Sequence, residues 1–132
     1  MAEEILKSKR VNFLVADARV KLVSVSLIAL AGVLEAFREA YGGLWVGGKL
    51  ELTRSAVRLS ANTLNRVVQD GTLDIELPLA LIRKVSVEGG FITNIVRLDT
   101  DVGSVEFRCF GAKGIAREMV RVGRLQASIS VL

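Results

Sequence analysis

Residues 105–122, VEFRCFGAKGIAREMVRV, contain the change of period that decides the fold. Val105, Phe107 and Cys109 alternate with Glu106 and Arg108, the pattern of a half-buried strand. From Ala112 the spacing becomes helical. Ile115, Met119 and Val122 recur every three or four positions, and Lys113, Arg117, Arg121 and Arg124 run along the opposite side. A strand that gives way at Gly111 to one amphipathic helix predicts a sheet closed at one end by that helix.

Upstream, the alternation continues as far as Lys49. Leu50, Leu52, Val57 and Leu59 alternate with polar residues, predicting strands over Lys49–Thr53 and Ala56–Ser60 joined by a hairpin near Arg54-Ser55. After a polar loop from Ala61 to Gly71, Leu73, Ile75 and Leu77 form a strand that Pro78 ends, because proline has no N–H for the ladder. Leu79–Ile82 reads as a short turn. Val85 and Val87 mark a strand ended by Gly89-Gly90, and Val96 and Leu98 another ended by the turn Asp99–Gly103. At the C-terminus, Leu125, Ala127, Ile129 and Val131 alternate with polar residues and predict a terminal strand. Regular short strands argue for an antiparallel barrel or sandwich rather than a doubly wound sheet.

Ahead of this series, residues 1–21 carry a net charge of +2 and a candidate strand at Val11–Val15. A helix is expected from Ser24 or Ser26, either able to cap it, to Tyr41, where Gly42-Gly43 suits a helix end. It has two apolar faces. Val23, Leu27, Leu30, Leu34, Phe37 and Tyr41 form a wide stripe; Val25, Ala29, Gly32, Ala36 and Ala40 form a second face small enough for close approach. The uncharged run Leu22–Leu34 is thirteen residues long, short of a bilayer span.

Composition bounds the chemistry. The 132 residues fit one domain, with 51% hydrophobic and 24% charged residues and a single proline. The lone Cys109 excludes an internal disulfide and suits a cytoplasmic, reducing setting. With no histidine, the usual general base and the Ser-His or Cys-His pairs are absent. No metal site or cofactor is expected.

The hairpin Gly47-Gly48-Lys49-Leu50-Glu51-Leu52-Thr53 with Val57-Arg58-Leu59, the turn Leu77-Pro78-Leu79 leading to Ile82-Arg83-Lys84-Val85, and the junction Val105–Gly111 together resemble GRAM-like domains of the pleckstrin-homology superfold. The resemblance spans Gly47 to about Val122. It implies a mainly β fold with α, a small antiparallel barrel or two orthogonal sheets capped by a C-terminal helix. It also implies a lipid or protein adaptor without catalytic activity. The helix at 24–41 departs from that pattern as an additional N-terminal element. The expected division is therefore an N-terminal extension at 1–43, a GRAM-like core at 44–122 and a terminal segment at 123–132.

Candidate anion- or membrane-binding residues are Lys113, Arg117, Arg121 and Arg124 on the closing helix, and Lys49, Arg54 and Arg58 around the first hairpin. Each group also has a plainer role. Cations late in a helix complement its dipole, and outward strand charges protect a sheet from aggregation. Residues 111–132 carry a net +3 and residues 22–110 a net −1, so the positive excess lies at the two ends. Convergence of those ends would make one patch. Asp99 and Asp101 fit a hairpin turn better than a cation site.

The small helical face (Val25, Ala29, Gly32, Ala36, Ala40) is the candidate for self-association into a homo-oligomer. The sequence thus points to a non-enzymatic adaptor for a protein partner or an anionic membrane surface, with peripheral attachment as one option. Nucleic acid is disfavoured because Trp45 and Tyr41 do not form a stacking platform among cations. The alternative is a small-molecule-binding or catalytic domain using a cavity between sheet and helix.

Overall fold

A computed structural model of the chain describes residues 3–18, 24–62, 74–89 and 93–129. Val23, Leu73, Gly90, Val131 and most of the expected 61–71 loop lie outside these residues. The elements run β1 (Lys7–Ala18), α1 (Val25–Tyr41), β2 (Val46–Leu52), β3 (Ala56–Ala61), β4 (Ile75–Pro78), a 3₁₀ turn at Leu79–Leu81, β5 (Ile82–Glu88), β6 (Asn94–Thr100), β7 (Gly103–Cys109), α2 (Ala112–Gly123) and β8 (Ala127–Ile129).

The strands form one sheet in the order β4-β3-β2-β1-β7-β6-β5-β8. All neighbours are antiparallel except β8, which runs parallel to β5. The result is a mainly β half-barrel followed by a C-terminal helix. Among the described residues its two ends are β4 and β8, and the ladder does not close into a barrel.

Strand β1 corrects the expected division of the chain. Val11, Phe13 and Val15 point inward and are buried, while Arg10 and Asn12 point outward. Asn12 and Phe13 pair with β2 on one side and with β7 on the other, so residues 7–18 form a central strand rather than part of an extension. Helix α1 is accordingly inserted between the first two strands. The strand is longer than the expected Val11–Val15 because Lys7 and Lys9 take inward-phase positions at its end, hiding the alternation.

Helix α1 begins where the Ser24 hydroxyl accepts a 3.2 Å hydrogen bond from the Leu27 N–H, and it ends at Gly42, whose N–H donates to the Arg38 carbonyl. Leu27, Leu30, Ala31, Leu34 and Phe37 are buried, and the Phe37 ring lies 5.1 Å from Phe13 and 4.5 Å from Tyr41 between centroids. Each large side chain buried in this way contributes about 1.5–3 kcal/mol of hydrophobic stabilisation. Helix α2 covers β5 and β6 with Ala112, Ile115, Ala116 and Met119, and Val122 is half-buried.

Strand β2 runs unusually close to its neighbours at Gly48. A Cβ there would lie 2.2 Å from the Ser60 carbonyl oxygen and 2.8 Å from the Phe13 ring. Glycine is required by that approach.

Candidate anion-binding site

The site is built around the link between β7 and α2. In β7, Val105, Phe107 and Cys109 point into the core, and Glu106 and Arg108 point outward. Beyond the strand, Phe110 falls between the two periods and is left 77% exposed. Gly111 then takes φ 73°, a left-handed conformation that turns the chain into α2. The Lys9 ammonium donates a 3.3 Å hydrogen bond to the Phe110 carbonyl, tying β1 to this turn.

Phe110 borders a cavity of about 340 Å³ on the outer face of the sheet, lined also by Arg10, Asn12, Gly47, Asn62 and Arg108. The register explains the cavity. Asn12 pairs with Gly47 on one side and with Arg108 on the other, so one end of that outward row has no side chain. The Arg108 guanidinium stacks on Trp45, 4.5 Å from the ring centroid. Among the described residues, none that lines this cavity is a carboxylate. Among the described residues, no ion pair engages Arg10 or Arg108.

Across the turn lies a second concavity of about 300 Å³, bounded by Lys7, Lys9, Gly111, Gly114, Ile115 and Glu118. It is a groove between sheet and helix, the place expected for a small-molecule site. Among its described residues the carboxylate is Glu118, which accepts hydrogen bonds of 3.0 and 2.9 Å from Arg121. Those bonds hold the Glu118 carboxyl below its ordinary range, with a further contribution from Lys7. The groove therefore presents two lysines and a neutralised acid. The basic N-terminal strand and the basic C-terminal helix do converge, and they meet here.

The expected cations fare unequally. Lys49 lies 3.6 Å from Glu51, Arg58 lies 4.0 Å from Glu76, and Arg121 is held by Glu118, so all three have their charge locally compensated. Lys113, Arg117, Arg124 and Arg54 form no ion pair among the described residues. On α2 Lys113 is half-buried and Arg117 exposed, and neither lines the groove, whereas Arg54 is exposed in the β2–β3 turn.

Other candidates also find their places. On α1, Val25, Ala29 and Gly32 are exposed, and Ala36 and Ala40 are half-buried. Asp99 is bonded to Arg97, and Asp101 takes a fork of hydrogen bonds from Arg83, so both are engaged in structural pairs. Cys109 is buried and its thiol is pushed up by desolvation, with a smaller opposing effect from Lys9. Among the described residues, no three side chains of His, Cys, Asp or Glu gather to hold a metal ion, and no helix is long and apolar enough to cross a membrane.

The residues that the sequence pattern did not reveal are Lys7, Lys9, Arg10, Arg108 and Phe110. Arg108 was visible as an outward strand position, but nothing local showed that β7 would lie beside β1, which brings Arg108 to a diagonal position from Arg10, or that Gly47 would leave the far end of the row open.

No family model matches the sequence, and no curated protein matches it. Among solved structures the chain is similar to the hSac2 domain from human phosphoinositide phosphatase Sac2, at 13% identity, over 96% of this chain and 80% of that one, with a TM-score of 0.48. That likeness assigns no role to any residue of this chain.

Proposed function

We propose that the protein is a non-enzymatic binding module that docks on anionic membrane surfaces through the Phe110 turn. The observation that carries this reading is an aromatic side chain, 77% exposed, set between two concavities that display Lys7 and Lys9 on one side and Arg10 and Arg108 on the other. An exposed ring amid cations suits the boundary between acyl chains and headgroups: the ring leaves water while the charges meet anionic lipid. At about 1 kcal/mol per basic group near such a surface, four cations supply roughly 4 kcal/mol, or about a thousandfold in affinity.

The scaffold behind this reading is a GRAM-like member of the pleckstrin-homology superfold. The segments that carry that resemblance occur as a β2–β3 hairpin, a strand and proline turn into β5, and a β7–α2 junction, which supports the placement. Cosedimentation with neutral and anionic vesicles tests the docking.

Self-association through α1 is a second reading, favoured by Val25 at 84% and Ile28 at 44% exposure on the helix face turned away from the core. Light scattering tests it: a concentration-dependent dimer is expected, and a strict monomer rejects it.

A further inference from the structure

We propose that the cleft over Gly47 and Gly48 is a phosphomonoester site in which Arg10 and Arg108 supply the charge and the Asn12 amide an additional donor. On the membrane-docking reading, on which this rests for its natural source, the ligand is the phosphate of a lipid headgroup. Arg10 and Arg108 sit on adjacent antiparallel strands, displaced by one same-face position because Asn12 is the direct partner of Arg108. Such diagonal neighbours are about 7–8 Å apart at the backbone, within the joint reach of two guanidinium groups toward one anion.

The chemistry favours phosphate over carboxylate. A phosphomonoester brings three acceptor oxygens and a charge near −2, enough to take forked hydrogen bonds from both guanidinium groups. Lysine at either place would supply charge without the fork. Stacking on Trp45 holds the Arg108 group in place before binding, which reduces the ordering cost. The cavity, at about 340 Å³, also has room for the group that bears the phosphate.

The test uses the full chain with vesicles of phosphatidylcholine containing either phosphatidic acid, a phosphomonoester, or phosphatidylserine, matched for total surface charge. Binding is followed by sedimentation and by emission of Trp45, the sole tryptophan. The wild type is expected to prefer phosphatidic acid by about tenfold, the equivalent of one forked, charge-assisted contact. Arg108→Lys, confirmed folded by circular dichroism, keeps the net charge and should bring the ratio of phosphatidic acid to phosphatidylserine binding close to one, as should Arg10→Lys. Equal binding of the wild type to both vesicles overturns the proposal while leaving membrane docking intact. So does full preference in both variants.

A titration with inorganic phosphate separates the sources. A saturable, Arg108-dependent change in Trp45 emission supports the site with free phosphate as a ligand, and a response to phosphatidic acid vesicles alone supports it with the lipid as the ligand. A phosphate response without pelleting on either vesicle supports the site and overturns docking. No response to any probe overturns both.

Discussion

The Lys9 ammonium reaches the Phe110 carbonyl over 3.3 Å, joining residues 101 positions apart in the chain. The first strand and the closing helix therefore meet at one turn. The bond also ties the backbone from which Phe110 projects to β1. Surface contacts of this kind contribute little to stability, so the bond acts on the shape of the surface more than on the fold.

Replacing Lys9 with Met should therefore weaken anionic vesicle binding by about fivefold, the equivalent of roughly 1 kcal/mol for one cation at the membrane. Thermal unfolding should change by less than about 1 kcal/mol. Parallel sedimentation and melting experiments check the pair of values. A variant that melts normally and binds like wild type would show that Lys9 does not face the lipid.

Ionic strength should separate the two parts of the docking surface. Charge attraction is screened over about 10 Å at 0.1 M salt and about 3 Å at 1 M, whereas burial of an aromatic ring is not. The wild type is expected to lose most of its vesicle binding between those conditions. Arg108→Lys should show the same salt slope for phosphatidylserine, since its charge is unchanged.

Gly48→Ala should destabilise the fold by about 1–3 kcal/mol, the usual range for forcing a methyl group into a packed site. The cause is the Cβ position, 2.2 Å from the Ser60 carbonyl oxygen in a strand that cannot easily move away. Chemical denaturation measures this. A neutral result would mean that β2 and β3 are not held at this spacing.

Cys109 should react slowly with alkylating reagents at neutral pH, because burial raises the thiol's pKa and keeps it protonated. The sign for stability follows. A raised folded-state value means that the contribution is complete below the ordinary thiol range and is lost as pH rises through that range toward the folded value. A pH series of alkylation rates on native and denatured protein checks it: the native curve should lie at higher pH.

Much of the fold was legible because the strands keep their inward phase. Leu50, Leu52, Val57, Leu59, Val85, Val87, Val96, Leu98, Val105 and Phe107 all alternate cleanly, and all are buried. The first strand was legible only in its middle. Lys7 and Lys9 hold inward-phase positions that open onto the α2 groove, so polarity there reflects the end of the strand and not its outer face. That hidden strand is also why α1 looked like an extension preceding the sheet.

The site was less legible, for a related reason. Local charge spacing selected the α2 stripe and the first hairpin, but pairing depends on which strands become neighbours. Glu51, Glu76 and Glu118 neutralise three of the selected cations, whereas the cleft cations Arg10 and Arg108 are distant in sequence and adjacent in the sheet. Phe110 fitted neither the strand period nor the helical one, and its exposure emerges only from the turn at Gly111.

The most direct measurement is cosedimentation of wild type and Phe110→Ser with neutral and phosphatidylserine-containing vesicles at about 0.1 M salt, where screening still leaves short-range attraction. The wild type should pellet with anionic vesicles and stay in solution with neutral ones, and Phe110→Ser should bind anionic vesicles about tenfold more weakly, as expected for losing partial burial of one aromatic ring. Failure of the wild type to distinguish the two vesicles, or unchanged binding by Phe110→Ser, would contradict docking through this turn.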